Sequence, residues 1–126
     1  MSNILIAEDD AATCRFLEGA LKSAGHTVRA CEDGLEAWNI LQKSGAAYDL
    51  LLTDIVMPGM DGIELSTRAA AVYPKLKIVF ITGYAAMALQ DGGAPASTNA
   101  KVIAKPFHLG RLVSEVEDML AEKKGA

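Results

Sequence analysis

Hydrophobic positions along the chain alternate between short apolar or β-branched runs and longer segments whose apolar residues recur every three or four positions. The short runs have the length of buried strands, and they are Ile4–Ala7, Thr27–Cys31, Asp49–Asp54, Lys77–Thr82 and Val102–Ala104. Helical spacing marks the longer segments, which are Ala11–Ala24, a stretch after Asp33–Gly34 with Leu35, Ala37, Trp38 and Leu41, Gly62–Val72, a weak helix over Tyr84–Leu89, and His108–Lys123. Strands and helices therefore alternate five times.

This alternation predicts an α/β fold, a parallel five-stranded sheet with helices on both faces. No repeat or linker divides the chain, so we expect one domain over residues 1–126. Gly25 is expected to end the first helix. Phe16, Trp38 and the methionines at helical spacing are expected in the core.

Composition and net charge limit the kinds of partner that this chain is expected to bind. The 126 residues are 51% hydrophobic and 22% charged, with a net charge of −4, which disfavours nucleic acid or an anionic membrane as the main partner. No apolar run approaches the ~20 residues that span a bilayer, and the start MSNILIAEDD lacks the basic region of a signal peptide. Cys14 and Cys31 fit two reduced thiols of a cytoplasmic protein.

Chemistry-bearing side chains follow four of the five predicted strands. The first strand ends in Glu8, Asp9 and Asp10, the third in Asp54, and the fourth in Thr82, while Lys105 follows the fifth. Ligands of open parallel sheets gather at the carboxyl ends of the strands. We therefore expect several carboxylates, a hydroxyl and an ammonium group at one edge of the sheet.

Crowded carboxylates raise one another's pKa unless a cation intervenes. Oxygen ligands from short loops suit Mg²⁺, whereas no His or Cys stands at these strand ends to favour Zn²⁺. A carboxylate can also attack phosphorus and form an acyl phosphate, with a lysine and a hydroxyl stabilising the transferring group. Any single Asp of this set could instead be a helix cap or turn former, and Asp10 fits such a cap.

The stretches ILIAEDD, LLTDIVMPGMDGIEL, IVFITG and AKPF, in that order, resemble the receiver domain of bacterial two-component response regulators. The resemblance implies a flavodoxin-like (βα)5 fold with strand order 2-1-3-4-5 and a phosphorylation site at Asp54. It further implies a Mg²⁺ site formed by Asp9 directly, Glu8 through water, Asp54, and the backbone carbonyl of Val56. Thr82 and Lys105 would each bind a phosphoryl oxygen, and Pro106 would follow a cis peptide bond.

Two stretches depart from the usual receiver pattern. Val102 stands three places before Lys105, where the family often has an aromatic residue that moves on phosphorylation, and valine is stiff at χ1. The segment QDGGAPASTN has weak helix propensity, so the fourth helix is expected to be short or frayed. Either an ordering switch or a tolerated irregular loop fits this segment.

The resemblance implies partners as well. The phosphoryl donor would be a phosphohistidine on a histidine kinase or phosphotransferase. With no output domain expected, the signal would leave by protein contact, and the regions VFITGYAAMAL and AKPFHL resemble single-domain regulators of bacterial cell-cycle phosphorelays. In those, the unphosphorylated form helps the ClpXP protease engage substrates.

Three other functions stay open. Two lie within signalling, a phosphorelay shuttle and a chemotaxis-type regulator. The third is a metal-dependent phosphatase with an aspartyl nucleophile, although such enzymes place a second Asp two residues on, where this chain has Val56. We accordingly expect a phosphoacceptor regulatory protein rather than an enzyme.

Overall fold

A computed structural model describes residues 2–83, 100–105 and 107–125. The strands are β1 (Asn3–Ala7), β2 (Thr27–Cys31), β3 (Leu50–Asp54), β4 (Lys77–Thr82) and β5 (Ala100–Ala104). The described helices are α1 (Ala11–Ser23), α2 (Gly34–Ser44), α3 (Gly62–Val72) and α4 (Leu109–Gly125), with a 3₁₀ turn at Gly45–Ala47. The bounds differ from the sequence prediction by no more than two residues at each end.

The five strands form one parallel sheet in the order β2-β1-β3-β4-β5. This confirms the predicted (βα)5 architecture and strand order. Because every strand runs in the same direction, all five carboxyl ends lie along one edge of the sheet. The β1–β3 neighbours mark the place where the chain changes its direction of winding, which is where α/β folds bind ligands.

Alternate side chains of the central strands enter two separate cores, one on each face of the sheet. Leu5, Leu51 and Phe80 pack with α2 and α3 on one face. Ile6 and Leu52 pack with α1 and α4 on the other. Burial on both faces explains why these strands are apolar at every position rather than at every second one.

Aspartates begin three of the helices. The side chains of Asp10, Asp33 and Asp61 accept hydrogen bonds from the backbone N–H groups of Thr13, Glu36 and Glu64. Each bond satisfies a donor that the first helical turn leaves unpaired. The expectation that Asp10 is a cap is confirmed. Gly25, with φ of 101°, follows the end of α1 as predicted.

The prediction that Phe16 lies in the core is wrong. Phe16 is 64% exposed, whereas Leu17 and Leu21 of the same helix are fully buried. Leu17 and Leu21 are four residues apart and share the inward face, and Phe16 lies about 100° round the helix from Leu17. Leu35 and Val72 are also exposed, at the first turn of α2 and the last residue of α3.

Three sequence expectations lie outside the described residues: the weak helix over Tyr84–Leu89, the irregular segment that follows it, and the peptide bond at Pro106. Among the helices of the described ranges, none combines the length and apolar character needed to cross a bilayer.

Candidate functional site

The carboxyl edge of the sheet brings together the side chains that the strand ends carry. Asp54 is the last residue of β3 and pairs in register with Ile81 of β4. Thr82 is the last residue of β4 and pairs with Ala104, so that Lys105 follows directly beside it. The Lys105 backbone N–H donates to the Thr82 carbonyl oxygen at 2.6 Å. The site is thus assembled by strand register rather than by any one segment.

Lys105 bridges the first and third strand ends. Its Nζ lies 3.0 Å from Asp54 Oδ2 and 3.3 Å from Glu8 Oε1. Partial burial lowers the pKa of Lys105, but the hydrogen bond that Lys105 donates to Asp54 and the charge of Glu8 outweigh this and leave that pKa raised. Lys105 is therefore held as a cation between two carboxyl groups.

Glu8 is almost completely buried, at 1% exposed. Its Oε2 accepts a hydrogen bond from the backbone N–H of Asp10 at 2.9 Å, and its Oε1 faces Lys105. Burial, reinforced by the negative charge of Asp54, raises the pKa of Glu8 to about 7 despite the bonds from Asp10 and Lys105. Additional positive charge at this site would favour the ionised form of Glu8.

Asp54 is 7% exposed, and its carboxylate has partners on both oxygens. The backbone N–H of Val56 donates to Oδ1 at 3.2 Å, while Lys105 reaches Oδ2. The Val56 side chain, in contrast, is 53% exposed. The carboxylate is thereby oriented by one backbone and one side-chain donor, next to an exposed apolar residue.

Glu8, Asp9 and Asp54 can each contribute one carboxylate oxygen to a group whose members lie within 4.8 Å of one another. Glu8 and Asp54 are buried, whereas Asp9 is exposed and open to solvent. Hard oxygen donors that close together, two of them desolvated, fit a divalent cation such as Mg²⁺. These three carboxylates are among the ligands that the sequence predicts, and their part in binding a metal stays a prediction.

Two further residues that the sequence singles out are Thr82, a predicted phosphoryl-binding residue, and Val102, which replaces the usual aromatic residue. Thr82 is buried at the carboxyl edge, one strand from Asp54. Val102 of β5 pairs in register with Phe80 of β4 and is 38% exposed. The roles assigned to Thr82, Lys105 and the acidic residues stay predictions, although the fold places all of their positions along one edge.

Sequence reasoning missed the backbone contacts that hold the site. The Asp10 N–H that orients Glu8 carries no signal in residue identity. Gly62 enters the sequence prediction only as the start of the helix Gly62–Val72, yet a Cβ there would stand 2.9 Å from the Asp54 carbonyl carbon and the Ile55 Cα. Its N–H donates to the Ile55 carbonyl at 2.8 Å. A glycine at the first position of a helix is the signal that could have revealed this close approach.

A family model described as "Response regulator receiver domain" matches residues 4–117. Among curated proteins, the response regulator receiver protein CpdR of Brucella abortus is 54% identical over 121 residues, covering 95% of this chain and 98% of that protein. The sensor kinase CckA of the same organism is 34% identical over 122 residues, 97% of this chain but only 13% of the kinase.

Solved structures agree with these sequence relatives. A response regulator receiver protein from Sinorhizobium medicae superposes with a TM-score of 0.86 at 33% identity, covering 97% of this chain and 96% of that one. The receiver domain of the hybrid histidine kinase CckA gives 0.80 at 29% identity, covering 94% of this chain and 98% of that one.

Proposed function

The chain belongs to the response regulator receiver family, and from that premise we propose that it is a signalling switch that accepts a phosphoryl group on Asp54. The resemblance of its motifs to receiver domains, and among them to CpdR, is confirmed. The observation that carries the proposal is the position of Lys105, in contact with both Glu8 and Asp54.

Asp54 is suited to nucleophilic attack on a phosphohistidine. An oxygen of its carboxylate forms the new P–O bond as the N–P bond breaks, and the electron pair of that bond leaves with the imidazole. The charge on the equatorial oxygens then needs donors that are already in place. The Lys105 ammonium and the Thr82 hydroxyl supply them at the same edge of the sheet.

We propose that Mg²⁺ is held by Glu8, Asp9, Asp54 and the backbone carbonyl of Val56. When bound, the ion neutralises charge on the carboxylates and on the phosphoryl oxygens. The acidic group and the raised pKa of Glu8 support this assignment. The three carboxylates lie close together, and burial disfavours the ionised form of Glu8, which a bound cation would stabilise.

The donor is a histidine kinase or a histidine phosphotransferase. Likeness to the receiver part of CckA, a hybrid histidine kinase, supports a place in a phosphorelay. In such a relay, the phosphoryl group passes between histidine and aspartate on separate domains. We place the protein in the cytoplasm, where these donors act.

For the output we propose protein contact, with ClpX as the target and the unphosphorylated form as the active one. The 54% identity to CpdR over almost the whole of both chains supports this choice. A phosphorelay shuttle or a chemotaxis-type regulator is the alternative. The chemotaxis-type regulator is supported by 32% identity to a chemotaxis protein CheY homologue of Campylobacter jejuni.

Phosphatase turnover is the less favoured function. The position two residues after Asp54 is Val56, which has no proton to give a leaving group. The next acid, Asp61, accepts a hydrogen bond from the Glu64 N–H as the cap of α3. We therefore propose a phosphoacceptor protein that catalyses only its own phosphorylation.

Two assays test the proposal. Transfer from an autophosphorylated CckA-type kinase should label the wild type and leave Asp54→Asn unlabelled, and no labelling of the wild type by any histidine donor would contradict it. A pull-down with the N-terminal region of ClpX should capture the free protein and lose it with beryllofluoride and Mg²⁺, an acyl-phosphate mimic. Equal capture in both states, or no capture, would favour the shuttle.

A further inference from the structure

The loop that follows Asp54 connects β3 to α3 and carries Val56. Its ends are fixed by backbone hydrogen bonds, from Ile55 N–H to the Ile81 carbonyl at 3.1 Å and from Gly62 N–H to the Ile55 carbonyl at 2.8 Å. Between these ends, Met57 and Met60 are buried in the core that also holds Ala37 and Leu41 of α2. The middle of the loop is therefore packed into the core that α2 shares with the sheet.

Gly34, the first residue of α2, touches this loop directly. A Cβ on Gly34 would overlap the Met60 carbonyl oxygen and stand 3.0 Å from the Met60 carbonyl carbon. Those atoms are backbone, so they cannot turn aside as the end of a flexible side chain can. The helix start and the loop backbone are in closer contact than any other amino acid would allow.

Conformation does not explain the glycine. The described glycines with positive φ are Gly25 and Gly59, so Gly34 has a backbone that alanine can adopt. In a helix, glycine is less stabilising than alanine. Glycine is required at position 34 because a Cβ there would overlap the Met60 backbone.

The start of α2 is itself fixed. Asp33 Oδ1 accepts from the Glu36 N–H at 2.8 Å as the helix cap, and Glu36 Oε1 accepts from the N–H of Glu32, the residue before that cap, at 3.0 Å. Gly34 thus presents a rigid surface to Met60.

We propose that Gly34 is a positioning residue for the phosphorylation site, setting the Val56 backbone through Met60. The inference rests on the proposed function, because Val56 donates to Asp54 Oδ1 and is assigned as a carbonyl ligand of Mg²⁺. A side chain at residue 34 pushes the loop away from α2, and Val56 moves with it.

The test compares Gly34→Ala with Gly19→Ala, a helical glycine that has nothing within 4 Å of its Cβ position. Mg²⁺ binding is measured by calorimetry, the Val56 amide by NMR, and phosphorylation by phosphoramidate over a range of Mg²⁺ concentrations. We expect Gly34→Ala to weaken Mg²⁺ binding at least tenfold, to raise the Mg²⁺ concentration for half-maximal rate, and to shift the Val56 amide. Gly19→Ala should match the wild type in Mg²⁺ affinity, in the Mg²⁺ dependence of the rate and in the Val56 amide shift.

Asp33→Ala is the second variant, since it loosens the start of α2 without adding an atom beside Met60. It should lower the urea midpoint of unfolding through the loss of one helix cap, leave the protein folded, and weaken Mg²⁺ binding by a smaller factor than Gly34→Ala. A folded Gly34→Ala with wild-type Mg²⁺ affinity and an unmoved Val56 amide overturns the inference. If Gly34→Ala does not fold, wild-type Mg²⁺ affinity in Asp33→Ala overturns it. Failure of the wild type to accept phosphate would instead overturn the proposed function.

Discussion

Lys105 Nζ lies 3.0 Å from Asp54 Oδ2, although 51 residues separate the two in sequence. Strand order explains the contact: β3 and β5 flank β4, and each residue stands at the carboxyl end of its strand. The same ammonium reaches Glu8, the residue that follows β1. One cation thereby connects three strand ends, and its removal is a direct test of the site.

Lys105→Met keeps the aliphatic stem and removes the charge. We expect phosphorylation by phosphoramidate to slow by about 100-fold, the usual loss when one donor to a developing oxyanion is removed. The control is Lys101→Met. Lys101 lies away from the carboxyl edge, and its Nζ is 2.9 Å from Glu115 Oε1. Equal rates for the two variants would show that Lys105 has no part in the transfer.

Glu8→Gln should stabilise the metal-free protein above pH 7. The pKa of Glu8 is raised to about 7 in the folded state, from an ordinary 4.5, so its contribution to stability is present below pH 4.5 and lost as the pH rises through 7. At pH 8 in EDTA, the variant should exceed the wild type by about 1–3 kcal/mol in urea unfolding, and the difference should shrink toward pH 4.

Magnesium should reverse that order. The ion binds the folded wild type and raises its stability by mass action, whereas Glu8→Gln should gain much less. Glu18→Gln is the control, since Glu18 forms an exposed pair with Lys22 and lies outside the acidic group. A Glu8→Gln protein with unchanged stability at pH 8 and a full response to Mg²⁺ would contradict the assignment of Glu8.

Gly62→Ala should destabilise the fold by about 1–3 kcal/mol, the range for overpacking a close contact. The new Cβ would stand 2.9 Å from the Asp54 carbonyl carbon and from the Ile55 Cα. Urea unfolding measures the change, with Gly19→Ala expected to gain about 0.5–1 kcal/mol from helix propensity. If Gly62→Ala is as stable as Gly19→Ala, the close packing of α3 on the end of β3 is wrong.

Cys31 should resist thiol reagents in the native protein. Burial raises the pKa of this thiol to about 12, and the charge of Glu36 adds to the effect. Because the neutral thiol is favoured in the fold, its contribution to stability persists up to pH 9 and is lost as the pH rises from 9 toward 12. Mapping of labelled peptides at pH 8 should find Cys14, which is partly exposed, labelled well before Cys31; the reverse order would contradict the burial of Cys31.

Local signals were enough to predict most of the fold. The apolar runs and helical periodicities name the elements, and buried strands with acids at their ends already point to the carboxyl edge. Contacts between distant elements left no such signal. The exposure of Phe16 depends on how α1 is rotated against the sheet, and the overlap at Gly34 depends on how α2 meets the loop after Asp54.

The functional site likewise has side chains that the sequence predicts and contacts that only the packed structure shows. Residue type and strand position place Glu8, Asp9, Asp10, Asp54, Thr82 and Lys105 at one edge of the sheet. Their roles in binding a metal or phosphoryl oxygens come from the family resemblance. The partner of each Asp54 oxygen, Val56 N–H for one and Lys105 for the other, required the packed structure. Backbone donors have no identity in a sequence, and strand register decides which of them reach the carboxylates.

The central claim is that Asp54 accepts the phosphoryl group. Purified wild type is incubated with phosphoramidate and Mg²⁺, treated with borohydride to trap any acyl phosphate as homoserine, and digested for peptide mass mapping. We expect homoserine at position 54 in the wild type, only when both Mg²⁺ and the donor are present, and none at any position in Asp54→Asn. Trapping at another carboxylate, or the same yield in Asp54→Asn, would contradict it.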